Sequence, residues 1–210
     1  MRTGFAAALA LVAWFALALQ LVLSIEMSLA RQGGVLHGVW MYLAFFTVLT
    51  NMLAALTLSV PLLAARSVAG RFFARPGVIS GVAVYICVVG LVYNVLLRNL
   101  WHPHGWQLLA DVLLHDALPL AFLAYWWASV PRGALRWRHL AYWCVYPIAY
   151  FLYAMLRGAL TRFYPYPFLD VAHLGYGGVL INALGMLAGL LVLGALFVAL
   201  KRARPQPVRA

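Results

Sequence analysis

Apolar residues in this chain neither alternate nor recur along one helical stripe; they fill whole segments of roughly twenty residues, the length that crosses a hydrocarbon core about 30 Å thick. Six such segments occupy residues 5–25, 39–63, 78–97, 106–128, 140–156 and 179–200. The pattern predicts an all-α, polytopic membrane protein, a six-transmembrane-helix bundle formed as a single domain over residues 1–200. Residues 201–210 follow as a basic tail.

The polar residues inside these segments carry the next inference, because a polar side chain in hydrocarbon costs kilocalories and needs a reason. They fall at helical spacings. The second segment holds Thr47, Thr50 and Asn51, the third Asn94 and Arg98, and the fourth Asp111, His115 and Asp116 followed by Pro119. The fifth carries Tyr142, Tyr146, Tyr150, Tyr153 and Arg157 along one face, and the sixth Gly178, Asn182, Gly185 and Gly189, a small-residue seam that permits close helix approach.

Charge sets the orientation. Of fifteen Lys and Arg residues, eleven lie in the tails and in the gaps after the second and fourth segments. By the positive-inside rule both termini are cytoplasmic. Arg31, Arg98, Arg157 and Arg162 lie on the opposite side. A first segment cleaved as a signal peptide is the alternative, since Arg2 precedes an apolar run containing Ala16, Leu17 and Ala18. The run continues past that point, and its removal would leave the termini on opposite sides. The net charge of +11 sits at the ends of spans, not in an aromatic-interleaved patch, which argues against nucleic acid as a partner. Cys87 and Cys144 fall inside spans and read as small packing residues.

With this orientation the polar groups share a level. Counting about 1.5 Å per residue from the outer ends, Thr47 lies about 12 Å deep and His115 about 13 Å. Asn94, Arg98, Asp111, Tyr150, Tyr153, Arg157 and Asn182 also fall in the outer half of the bilayer. These positions predict a polar pocket open toward the outer face, capped by connections carrying His102, His104, Asp170 and His173. The segment Tyr164-Pro165-Tyr166-Pro167-Phe168 reads as an anchored interfacial loop or a lid.

The bland reading of a membrane-embedded threonine is a hydroxyl bonded to its own backbone, and that of a tyrosine stripe is packing. A buried imidazole one turn from a buried carboxylate has fewer bland explanations. A hydroxyl nucleophile needs a base, and the base an orienting group. Thr47 or Thr50, His115 and Asp111 are of those types, while Asn51, Asn94 or Arg98 are candidate donors to an oxyanion. The set suits hydrolysis of a lipid ester entering from the bilayer.

The runs Phe45-Phe46-Thr47-Val48-Leu49-Thr50-Asn51 and His115-Asp116-Ala117-Leu118-Pro119, with Tyr146-Pro147 and the stretch from Arg157 to Asp170, resemble the bacterial branch of the androgen-induced protein family. The likeness spans the second to the sixth segment. It implies a multi-span hydrolase of fatty acid esters of hydroxy fatty acids, with a threonine and a histidine as catalytic pair. Thr47 is the better match to the threonine, Thr50 the competitor, and His115, four residues before a proline, matches the histidine. Asp116, Tyr150, Tyr153, Arg157 and Asn182 join the supporting set. No cofactor is expected, the partners are membrane lipids or a lipid-like substrate, and the location implied is a bacterial inner or plasma membrane.

Three rivals remain open. A metal-dependent hydrolase would draw on His102, His104, Asp111, His115 and His173, though their spacing is a weak zinc signal. Haem ligation lacks a second deep histidine. A non-catalytic lipid-binding or transport protein would use the same polar groups only to hold a ligand, and no inverted repeat is evident across the halves.

Overall fold

The computed structural model describes residues 2–202, so most of the basic tail, with Arg204 and Arg209, lies outside the described residues. Among those described, six helices are long and apolar enough to cross a membrane, and there is no strand. The chain is an all-α multi-pass membrane protein. It divides into two compact units, Met1–Pro131 and Arg132–Ala210.

The first unit is built on α1 (Arg2–Ala30), α2 (Gly34–Tyr42), α3 (Phe46–Leu63), the short α4 (Val68–Phe73), α5 (Pro76–Val92), α6 (Trp106–Val112) and α7 (Leu118–Ser129). Four spans form a ring in which α1 packs on α3, α3 on α5, α5 on α7 and α7 back on α1. Small residues let them approach: Ala6, Ala10, Ala13 and Ala16 form the buried face of α1. Polar side chains below the site are satisfied locally. Thr57 and Ser59 each donate to the carbonyl one turn back at 2.7 Å, and Trp126 Nε1 donates to Ser80 Oγ at 2.9 Å.

The second segment is not one helix. It is α2 and α3, broken at residues 43–45, where Phe45 takes an extended conformation (φ −92°, ψ 131°). The break carries no glycine or proline, so its cause is tertiary. Ser28 Oγ donates to the Gly34 carbonyl at 2.8 Å, Ser24 Oγ to the Gly38 carbonyl at 2.9 Å, and Tyr42 Oη to the Leu17 carbonyl at 3.0 Å. These bonds lay α2 antiparallel along the last turns of α1. Gly38 permits the approach, since a Cβ there would stand 2.6 Å from Ile25 Cα. α2 therefore already descends beside the first span, and α3 begins inside the unit. Thr47 is the second residue of a new helix, not a residue partway along a continuous one.

The second unit holds α8 (His139–Thr161) and α9 (Val171–Arg202), packed on each other. Arg162 closes α8 in the left-handed conformation (φ 57°), and α9 is kinked at Gly175 (φ 66°, ψ 166°). Gly194 lets α9 meet α8, a Cβ there coming within 2.9 Å of Leu140.

Candidate functional site: two facing π turns

The third and fourth spans both leave the α-helical path at the same place. The third widens into a π turn at Tyr93–Leu97, where the Arg98 N–H bonds to the Tyr93 carbonyl. The fourth does so at Leu113–Ala117, joining α6 to α7, where the Leu118 N–H bonds to the Leu113 carbonyl. Pro119 accounts for the second: it has no N–H to return to His115, so the ladder must change step. Two carbonyls are freed. That of Leu114 has lost its α partner to Leu113, and that of His115 faces Gly90, where a Cβ would stand 3.0 Å from it. Gly90 thus allows the two widened turns to lie against each other.

The facing turns build a compact cluster. Tyr93 Oη donates to Asp111 Oδ2 at 2.6 Å. The Tyr93 ring stacks on the His115 imidazole, centroids 3.8 Å apart and planes 17° from parallel. His115 Nδ1 is 2.9 Å from the Asp111 carbonyl and 3.2 Å from Asp111 Oδ1. The carbonyl is the better aligned acceptor, and Oδ1 makes no hydrogen bond. Both neighbours of Nδ1 accept only, which assigns the proton to Nδ1 and leaves the Nε2 lone pair as the basic one.

Asn51 ties α3 to this cluster. Its Nδ2 donates to the Thr47 carbonyl at 2.9 Å and to the freed Leu114 carbonyl at 3.2 Å. With both of these partners accepting, the amide orientation is unambiguous, and the buried Oδ1 is left without a hydrogen bond. One side chain thus connects the backbone of Thr47 to that of the residue before His115. Thr47 is half-buried and Thr50 fully buried.

Asn94, Arg98 and Asp116 form a second cluster beside Tyr93. Asn94 and Arg98 are exposed and Asp116 is part-exposed. Arg98 Nη2 grips both carboxylate oxygens of Asp116 at 2.7 and 2.5 Å, and Asn94 Nδ2 donates to Asp116 Oδ1 at 2.8 Å and to the Gly90 carbonyl at 2.9 Å. Asn51 and Asn94 have thus committed their amide protons to protein acceptors, which removes them as donors to an oxyanion. The Arg98 guanidinium also lies 5.3 Å from the Tyr93 ring centroid. The π turn brings together residues five apart that an α-helix would separate.

The remaining supporting residues belong to the second unit. Arg157 is buried, donates from Nη1 to Tyr153 Oη at 3.2 Å and lies 5.9 Å from the Phe163 ring; Tyr150 packs by Tyr153. Asn182 Nδ2 donates to the Phe168 carbonyl at 3.1 Å, Tyr166 stacks on Phe168, and the Tyr164 ring fills the space beside Gly158. The Tyr-Pro-Tyr-Pro-Phe loop is therefore pinned to its own unit. Tyr142, at the N-terminal end of the stripe, is exposed.

His102 and His104 are exposed in the loop before α6, and His173 Nδ1 pairs with Asp170 Oδ2 at 2.6 Å. Among the described residues no three His, Cys, Asp or Glu side chains converge on a point. Tyr93 is the site residue missed by sequence reasoning. Its only signal was an aromatic hydroxyl next to Asn94 in an otherwise apolar span. No family model matches the chain, nor does any curated protein or solved structure.

Proposed function

We propose that this protein is a hydrolase of lipid esters in a bacterial plasma membrane, with His115 as general base and Thr47 as nucleophile. The observation that carries the reading is the His115 imidazole, held through Nδ1 by Asp111 and stacked by Tyr93, with Nε2 the basic nitrogen. A base whose Nδ1 is held by a fixed acceptor, here the Asp111 backbone carbonyl, presents Nε2 to a hydroxyl. The Thr47 oxygen would attack the acyl carbon while its proton passes to Nε2. The proton then goes to the departing alkoxide, and water repeats the sequence on the acyl-enzyme. Thr47 is favoured over Thr50 because it is only half-buried and can meet an acyl chain from the bilayer. The likeness of the Phe45 to Asn51 and His115 to Pro119 runs to the androgen-induced protein family supports the same pair.

The test uses purified wild type, Thr47→Ala, Thr50→Ala and His115→Ala in detergent, each treated with a fluorophosphonate probe and a panel of fatty acid esters. Labelling and hydrolysis lost in Thr47→Ala and His115→Ala, with folding and Thr50→Ala activity retained, is the expected result. Wild-type labelling in both of the first two overturns the catalytic assignment and leaves a lipid-binding protein.

A further inference from the structure

Tyr93 makes two contacts of different kinds with the same pair of residues. Its hydroxyl holds one carboxylate oxygen of Asp111, and its ring covers one face of the imidazole that the Asp111 carbonyl holds by its edge. We infer that Tyr93 is a positioning residue that fixes the Asp111–His115 pair, a role that deepens the hydrolase reading and rests on it.

The geometry carries this in three steps. An imidazole held only at Nδ1 can still swing about that bond. A flat ring at 3.8 Å removes that freedom and fixes where Nε2 points. The Asp111 carboxylate, buried with one oxygen unbonded, has a single hydrogen-bond anchor among the described residues, the Tyr93 hydroxyl. Tyr93 itself is held by its place in the π turn and by Arg98 beyond its ring, which is in turn gripped by Asp116. The chain of contacts therefore runs from an exposed ion pair, through a buried phenol, to the base. A purely packing tyrosine would need neither the carboxylate nor the parallel ring.

The hydroxyl and the ring can be removed separately. Tyr93→Phe keeps the stack and deletes the anchor, and Tyr93→Leu deletes both. Proton NMR of the full-length protein in micelles reads the stack without any substrate, because protons above an aromatic face are shifted upfield. The His115 ring signals, assigned by their absence in His115→Ala, are expected upfield in the wild type and in Tyr93→Phe, and at ordinary positions in Tyr93→Leu. In turnover, Tyr93→Phe is expected to lower kcat about tenfold with KM unchanged, the size of a lost hydrogen bond to a charged group. A change in the folded fraction alone would not split kcat from KM in this way.

Ordinary His115 ring positions in the wild type, or a wild-type kcat in Tyr93→Phe, would overturn the inference. If the upfield signature is present but no ester is turned over by the wild type, the hydrolase reading fails while the holding of His115 by Tyr93 stands.

Discussion

Replacing Asn51 by leucine tests whether the second and fourth spans are tied together at the site. The side chain is fully buried and of similar size, so the change deletes two hydrogen bonds with little change of volume. In lipid, leucine gains nothing by transfer from its surroundings, which makes the substitution cleaner than in a soluble core. The bond to the Thr47 carbonyl is a contact one turn back within α3 and is worth about 0.5 kcal/mol, the low end for an intramolecular hydrogen bond. The Leu114 carbonyl is the larger loss. Its α partner is spent on Leu113, Pro119 has no N–H, and leaving it buried and unpaired costs about 1–3 kcal/mol. A gain of about 0.5 kcal/mol in helix propensity, and the removal of an Asn51 Oδ1 that is buried without a hydrogen bond, offset part of this, so the net loss is about 1 kcal/mol. Thermal unfolding in micelles, followed by tryptophan emission and by labelling of Cys87 and Cys144, measures it. An Asn51→Leu protein as stable as the wild type would refute the assignment of a π turn that leaves Leu114 dependent on α3.

Two further outcomes follow from the geometry. Gly38→Ala places a Cβ 2.6 Å from Ile25 Cα and 3.0 Å from the Ser24 carbonyl, both backbone atoms that cannot rotate away, so a loss of about 2 kcal/mol or more is expected in the same unfolding assay. The His173 ring and the Ala172 N–H hold the Asp170 carboxyl below its usual range. A depressed carboxyl contributes above its unfolded value and loses that contribution as pH falls through the folded one; hydrogen exchange at Ala172 should therefore stay slow down through the ordinary carboxylate range and quicken only in stronger acid.

The residues of the site differ in how readable they were. His115 and Asp111 stood out because lipid makes an imidazole and a carboxylate expensive wherever they sit in a span, a cost that depends on depth and not on neighbours. Asn94, Arg98 and Asp116 were picked out by the same logic, and they pair among themselves in an exposed cluster. Tyr93 was passed over because a tyrosine in an apolar run is ordinarily packing, and only a ring stacked on His115 gives it another meaning. Pro119 was read as a possible kink. What it does is release two carbonyls, one of which Asn51 takes.

By itself the sequence determined the class of the molecule and the number of its spans, because the hydrocarbon thickness and the need to satisfy backbone groups within each segment leave a helix as the one solution for a single apolar run. Tertiary structure decided where those helices break. The gap at residues 43–45 arises from serine and tyrosine bonds between α1 and α2, and the facing π turns arise from a glycine on one span meeting a proline-freed carbonyl on the next. Those are agreements between residues far apart in the chain, and no periodicity within a single segment records them.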